Sequence, residues 1–220
     1  MSTETLEPVV EKAPREAMFS KRRRKFLTDP LSDNNPITIQ VLGICSALAV
    51  TIKMEPTLIM SISVIFVMVF SNLIISLLRN LVPGRVRIIV QLGVIATFVT
   101  LVSEVLKAYN YEMFKVLGAF VGLIITNCIV MGRLEAFALG NKPWDSVLDG
   151  FGSAFGYAWI ILTVAFFREF LGSGTVFNIK IYDASLIPTN SLFIDSVGAF
   201  IVLGLLIWIQ RTKSGYVEHN

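Results

Sequence analysis

Six stretches of this sequence contain no aspartate, glutamate, lysine or arginine, and short polar segments separate them. They run over Pro36–Ile52, Thr57–Leu78, Ile88–Ser103, Val116–Gly132, Gly150–Phe167 and Ser196–Ile209. A helix that crosses a membrane needs roughly 20 mainly apolar residues. Only 16% of the residues are charged, which is low for a soluble domain. The pattern predicts an all-α integral membrane protein with six transmembrane helices.

The third, fifth and sixth stretches reach a full span when a residue or two of polar flank is included, whereas the first and fourth are short and interrupted by small and polar residues. We therefore predict short or broken helices at these two places. Together the six stretches define a membrane domain over residues 36–212. Residues 1–35 are predicted to form a polar, basic tail, and residues 213–220 are predicted to form a second, shorter tail.

Positive charges predict how the chain is oriented in the membrane. Lysine and arginine concentrate in the cytoplasmic loops of membrane proteins. Most of the 19 in this chain fall on one side when both ends are placed in the cytoplasm. The basic run Ser20–Phe26 precedes an apolar stretch, which is typical of a cytoplasmic anchor at the surface of membrane lipid. We therefore expect a multi-pass protein with both termini cytoplasmic and no nucleic-acid partner.

The two halves of the membrane domain share an order of features. In residues 36–108 a short apolar segment holds Cys45, and a long helix follows that ends near Arg79. In residues 114–212 the same order gives Cys128 and Arg168. Three spans are an odd number, so the second copy would insert upside down. Inverted repeats of this kind place functional sites on discontinuous helices where the copies meet, and we predict two inverted three-helix repeats.

Cys45 and Cys128 are the only cysteines of the chain, and they hold matching places in the two halves. A buried free cysteine often packs only as a small hydrophobic residue, and a disulfide is a second possibility. Thiolates are also soft ligands for zinc, copper(I) and iron–sulfur centres. Two sulfurs do not complete a four-thiolate site, so a metal centre would need two ligands from another chain. Thr126 and Asn127 are candidate hydrogen-bond donors to such a centre.

Several segments taken together resemble a known family. They are NNPITIQVLGICSALAVT, SNLIISLLRN, VRIIVQLGVIA, VGLIITNCIVMGRLEAFA, LDGFGSAFGYAW and FFREFLGSGT. From about Asn34 to Arg211 the chain resembles the D-subunit family (NqrD) of Na+-translocating NADH:quinone oxidoreductases, within the wider group of NqrDE and RnfAE membrane proteins. The stretch around Cys128 is the most specific part of this resemblance.

The resemblance implies a role in electron transfer. It implies a component of a bacterial inner-membrane complex that shares a [2Fe–2S] cluster with a similar sister protein, the E subunit, each contributing two cysteines. Cys45 and Cys128 match the two from the D subunit. Electrons would pass from the NADH-oxidising F subunit to the flavin of the C subunit, during ubiquinone reduction coupled to Na+ export. The A and B subunits complete the implied complex, and NAD, flavin and quinone are bound by other chains.

Two other functions fit parts of the same pattern. The first is the E subunit of an Rnf complex, which passes electrons between ferredoxin and NAD. The second is an inverted-repeat transporter, although few ionisable residues lie within the apolar stretches. The glycine-rich stretch Leu171–Thr175 follows no predicted strand, so it indicates a turn at the end of a helix rather than a nucleotide site.

Charged residues beside the apolar stretches receive simpler interpretations. Arg79 and Arg168 are expected to anchor helix ends at the membrane surface. Glu104 and Glu169 are expected to be solvated helix ends or ion-pair partners. Glu135 is expected to form an ion pair with the nearby Arg133 in a loop.

Overall fold

The computed structural model describes Pro30 and residues 35–173, 175–176, 179–180 and 195–214. The predicted basic tail, apart from Pro30 and Asn35, lies outside the described residues, and so do residues 215–220 of the predicted C-terminal tail. The described part is almost entirely helical, with one antiparallel pair of two-residue strands.

The helices follow the predicted apolar stretches in order. In chain order they are α1 (Ile44–Val50), α2 (Met54–Leu78), α3 (Arg87–Tyr109), α4 (Tyr111–Ile125), α5 (Cys128–Arg133), α6 (Pro143–Ser173) and α7 (Ser196–Ser214). A π-helical turn, Leu134–Ala138, continues α5, and the strands β1 (Thr175–Val176) and β2 (Ile179–Lys180) follow α6. The helix α6 ends within the glycine-rich stretch where the sequence predicts a turn.

Within the described residues, three helices are long and apolar enough to cross a membrane: Met54–Leu78, Arg87–Tyr109 and Pro143–Gly172. Local sequence accounts for how two of them begin. Helix α2 carries Glu55 and Pro56 in its first turn, and α6 begins at Pro143. Proline suits the first turn of a helix because the N–H that it lacks has no helical partner there, and an acidic residue favours the same end. The protein is therefore a helical membrane protein.

The first and fourth apolar stretches are interrupted, in agreement with the prediction. In the first, residues 36–40 form turns, and only α1, seven residues long, is helical. The fourth stretch is divided between α4 and α5 at Thr126 and Asn127. Each interruption lies immediately before a cysteine-bearing helix, so both cysteines begin a new helical segment.

Helices α2 and α6 form the centre of the bundle and make its most extensive contact. Their facing surfaces are apolar and fully buried, as Met60, Val64 and Val67 on α2 and Ile161 and Ala165 on α6 illustrate. This pair provides a rigid frame against which the short helices α1 and α5 are placed.

Two arginines cross between the halves of the chain. Arg168 of α6 donates to the Leu48 carbonyl at 3.2 Å and to Thr51 Oγ1 at 2.7 Å, both at the end of α1. Arg79, just after α2, donates to the Asn141 carbonyl at 2.8 Å, beyond the end of α5 and its π-helical turn. Each cation thus meets the carbonyl end of a cysteine-bearing segment from the other half, where the helix dipole favours positive charge.

The two residues at positions 168 and 169 correct the sequence interpretation. Arg168 and Glu169 are 2% and 5% exposed, so neither is a solvated helix end. Glu169 Oε2 accepts from the backbone N–H of Met54 at 2.7 Å, so that its carboxylate satisfies a free donor in the first turn of α2. This adjacent pair fixes both sides of the link between α1 and α2.

The expected pairing of Glu135 with Arg133 is wrong. Arg133 instead binds Asp149 Oδ1 at 3.0 Å and Ser153 Oγ at 2.8 Å, both on α6. Glu135 pairs with Arg87 at the start of α3 and accepts from Gln91. Both contacts join different helices, so the nearest charge in sequence is not the nearest in space.

Candidate functional site

The two cysteines, far apart in sequence, lie side by side. Cys45 is the second residue of α1, and Cys128 is the first residue of α5. Both are free thiols exposed at the surface of the chain. The two thiols are close enough to influence each other electrostatically. The structure thus brings together the two residues that the sequence selects, and it leaves their sulfurs open to a neighbouring molecule.

Gly43 makes the turn that starts α1. Its φ of 83° lies in the left-handed region, which glycine adopts without the steric penalty of a side chain. A Cβ at this position would lie 3.1 Å from a ring carbon of Tyr157 and 3.4 Å from Asn127 Oδ1. Glycine is therefore required here twice, for the backbone conformation and for the close approach of the two side chains behind the thiols.

Asn127 is the N-cap of the helix that begins with Cys128. Its backbone is extended, and its Oδ1 accepts from the N–H of Ile129 at 3.3 Å. An asparagine in this position satisfies one of the free N–H groups of the first turn. Its buried Nδ2 has no close hydrogen-bond partner within the described part of the chain. The side chain thus defines the start of α5 and keeps an N–H donor available next to Cys128.

Tyr157 lies behind the thiols and is fully buried. Its hydroxyl oxygen is 2.7 Å from Ser46 Oγ, and the Asn127 amide lies beside the same hydroxyl. Ser46 also contacts the Gly43 carbonyl at 2.9 Å. Tyr157 therefore touches the residue that follows Cys45 and the residue that precedes Cys128.

The donor set suits a soft metal centre that is completed by another molecule. Thiolates bind iron, zinc and copper(I), and adjacent sulfurs are the donors that an iron–sulfur cluster uses. Among the described residues, no group of three or more histidine, cysteine, aspartate or glutamate side chains gathers to hold a metal. The two cysteines supply half of a four-thiolate site, and the spare Asn127 donor is of the kind that hydrogen-bonds to cluster sulfur.

Other residues that the sequence singles out lie away from the thiols. Arg79 and Arg168 bind the far ends of the cysteine-bearing segments, and Glu104 is exposed on α3. Sequence reasoning did not identify Tyr157. The local sequence gives no signal beyond the residue type itself, since a buried tyrosine hydroxyl usually has a specific partner.

The chain matches the family model described as "Rnf-Nqr subunit, membrane protein" over residues 24–207. Curated relatives cover nearly the whole chain. It is 51% identical over 204 residues to the D subunit of the Na(+)-translocating NADH-quinone reductase of Pasteurella multocida, in an alignment that spans 90% of this chain and 98% of that relative. A relative of the same name from Proteus mirabilis is 50% identical over 91% of this chain and 99% of its own length.

A third relative of that name, from Shewanella denitrificans, is 52% identical over 196 residues. The alignment covers 87% of this chain and 93% of the relative. At this identity and coverage, the similarity extends across both halves of the membrane domain and includes both cysteine-bearing segments.

Proposed function

The chain belongs to the Rnf-Nqr family of membrane subunits, and from this premise we propose that it transfers electrons as the D subunit of a Na+-translocating NADH:quinone reductase. The adjacent pair of exposed thiols is the observation that carries the proposal. The names of the relatives support the enzyme complex, and the thiol pair supports a place for this chain in its electron path.

Cys45 and Cys128 would be two of the four ligands of a [2Fe–2S] cluster shared with the sister E subunit. Such a cluster supplies one-electron transfer when it is bound. The chain itself binds the metal through two thiolates at its surface, where a partner's ligands can reach the remaining positions. Asn127 offers a hydrogen-bond donor next to Cys128, and donors to sulfur tune the reduction potential of iron–sulfur centres.

The proposed electron path crosses the membrane. It runs from the NADH-oxidising F subunit, through the site shared by the D and E subunits, to the flavin of the C subunit, in ubiquinone reduction coupled to Na+ export. The A and B subunits complete the complex. The cysteine-bearing helices α1 and α5 begin at interruptions within apolar stretches. This favours a position of both thiols inside the membrane, where an electron that crosses it needs a relay.

We also infer the finer architecture. The six apolar segments cross the bacterial inner membrane as two inverted three-helix repeats, over about residues 36–108 and 114–212, with residues 1–35 and 213–220 as cytoplasmic tails. Arg79 and Arg168 each bind the cysteine-bearing segment of the opposite half. This supports the repeat, because equivalent elements of two repeats make equivalent contacts. The excess of positive charge near the termini supports the orientation.

The test replaces each thiol in the intact complex. Cys45→Ser and Cys128→Ser keep the approximate size and shape of the side chain but remove a soft ligand. We expect both variants to lose the same amount of iron and acid-labile sulfide per complex, together with quinone reduction, while all subunits still co-purify. Ser63→Ala, a small change on α2 away from the thiols, should retain iron, sulfide and activity.

The alternatives give different results. A transporter or a scaffold would keep its function, and the complex would keep its iron, after either cysteine is replaced. A member of an Rnf complex would lose the same iron but would co-purify with ferredoxin-dependent rather than quinone-dependent activity. Unchanged iron and sulfide in either serine variant would remove that cysteine from the proposed site.

A further inference from the structure

We propose that Tyr157 is a positioning residue that holds the two thiols side by side by tying the starts of α1 and α5 to the rigid helix α6. The inference deepens the proposed function and rests on it, because the arrangement of the thiols decides whether they can share one metal centre. Its structural basis is one hydroxyl group placed between the residues that adjoin Cys45 and Cys128.

The scaffold that carries Tyr157 is well packed. On α6 its neighbours Ala154 and Ile161, one turn away on either side, are also fully buried. A close-packed interior leaves a side chain little room to move. The ring is further held by Gly43, where a Cβ would approach to 3.1 Å. The hydroxyl is therefore a fixed point relative to the core of the bundle.

The direction of these hydrogen bonds follows from which of the groups carries a proton. The Gly43 carbonyl has no proton, so Ser46 must donate its single hydroxyl proton in that contact. The contact between Ser46 and Tyr157 then requires the tyrosine to be the donor. The Asn127 amide lies beside the same Tyr157 oxygen, and its buried Nδ2 makes no close hydrogen bond among the described residues.

The resulting hydrogen bonds run from Tyr157 through Ser46 to the Gly43 carbonyl, and the Asn127 amide packs beside the tyrosine hydroxyl. Asn127 caps α5, and Gly43 makes the turn into α1. A shift of the start of α1 would therefore break a hydrogen bond that has no replacement in the apolar interior, and a shift of the start of α5 would disturb the packing of Asn127 beside Gly43 and Tyr157. Because Cys45 and Cys128 lie at these starts, these contacts together fix the separation of their sulfurs.

The simplest competing role for Tyr157 is to fill space, and phenylalanine would then replace it without effect. Tyr157→Phe keeps the ring against Gly43 and removes only the hydroxyl. Ser46→Ala removes the acceptor instead. Tyr111→Phe makes the same chemical change at an exposed tyrosine on α4 and is the matched control.

The first measurement does not need a bound metal. Diamide, a two-electron oxidant of thiols, is applied to the full chain in membranes, where it takes two electrons and two protons from Cys45 and Cys128 and leaves a disulfide. Mass spectrometry then follows the bridged peptide. Disulfide formation requires closely placed thiols. We expect the bridge to form about fivefold more slowly in Tyr157→Phe, the effect of one hydrogen bond of typical strength, and at the parental rate in Tyr111→Phe.

The double variant tests whether the two groups act through one bond. Ser46→Ala should slow bridging by a similar factor, and Ser46→Ala with Tyr157→Phe should slow it little further, since both changes remove the same contact. Equal bridging rates in the parent chain and Tyr157→Phe would overturn the inference, as would an absence of bridging in the parent chain.

The second measurement uses the intact complex. The paramagnetic resonance signal and midpoint potential of the centre bound by the two cysteines should shift in Tyr157→Phe and stay unchanged in Tyr111→Phe. An unshifted signal in Tyr157→Phe, with only the amount of complex lowered, would mean a general loss of folding and would contradict the positioning role. If no iron centre is found but bridging still depends on Tyr157, the proposed function fails while the positioning role stands.

Discussion

At the scale of single residues, Arg168 is the largest fully buried side chain in the described part of the molecule. Burying a charge is unfavourable unless it is paired and hydrogen-bonded. Its guanidinium donates to the Leu48 carbonyl, to Thr51 and to the Asp195 carbonyl. The rigid fork of arginine suits such a set of divergent acceptors better than the single ammonium of lysine. Arg168 therefore closes the end of α1 and holds the start of α7 near it.

Replacing Arg168 should destabilise the protein more than replacing its counterpart Arg79. Arg168→Ala removes three hydrogen bonds, one of them to the buried Thr51 hydroxyl, and we expect a loss of about 2–4 kcal/mol in the free energy of unfolding. Arg79 is only partly buried and makes one such bond, so Arg79→Ala should lose about 1 kcal/mol. Thermal unfolding of the purified chain in detergent, followed by tryptophan fluorescence, measures both. Equal effects would contradict the difference in burial.

At the scale of helices, the contact between α2 and α6 depends on one glycine. Asn72 of α2 is fully buried and donates from Nδ2 to the Ser146 carbonyl at 3.1 Å. Gly150 lies one turn further along α6, and a Cβ there would overlap the same Nδ2. The absence of a side chain at position 150 lets the amide reach the backbone and lets the two helices approach closely, as small residues do between membrane helices.

A methyl group at that position should loosen the central pair. Gly150→Ala forces the Asn72 amide away from its acceptor, and we expect a loss of about 1–3 kcal/mol in the free energy of unfolding, which is typical of overpacking. The control is Gly93→Ala on α3, where a Cβ meets nothing within 4 Å. Alanine is the better helix former there, so stability should stay constant or rise by up to about 1 kcal/mol. A neutral Gly150→Ala would show that the contact tolerates repacking.

At the scale of the whole molecule, exposed residues at the two ends of α3 allow the orientation of the chain in the membrane to be measured. Leu81 lies before this helix and Tyr109 at its end, and they are 81% and 90% exposed. In a background in which Cys45 and Cys128 are serine, we expect Leu81→Cys to react with an impermeant thiol reagent from the cytoplasmic side only. Tyr109→Cys should react from the opposite side only. Labelling of both positions from one side would contradict a span by α3.

The helical class and the two helix interruptions are readable from the sequence because their signals are local. Stretches without charge mark the helices, and small or polar residues such as Gly43 and Asn127 mark the interruptions. The ionic contacts join residues of different helices, so the prediction made from neighbouring charges in the sequence is wrong. Arg133 and Glu135 lie close together in sequence, yet Arg133 pairs with Asp149 on another helix, because packing of the helices decides which charges meet.

The candidate site divides in the same way. The two cysteines could be selected because they are rare and hold matching positions. Tyr157 could not, because its contact with Ser46 spans 111 residues of chain and no local pattern encodes it. Asn127 lies between these cases. Its place before Cys128 suggests a cap or a sulfur contact, and the structure shows that it is the N-cap.

The bond from Arg168 to Leu48 has a consequence for biosynthesis. The two residues are 120 positions apart, so at about 5–20 residues per second Arg168 is made about 6–24 s after Leu48. During that interval α1 has neither its arginine nor the carboxylate of Glu169 that fixes the next helix. The segment bearing Cys45 therefore lacks these contacts until the second half of the chain has been synthesised, and its thiol gains its full set of neighbours only then.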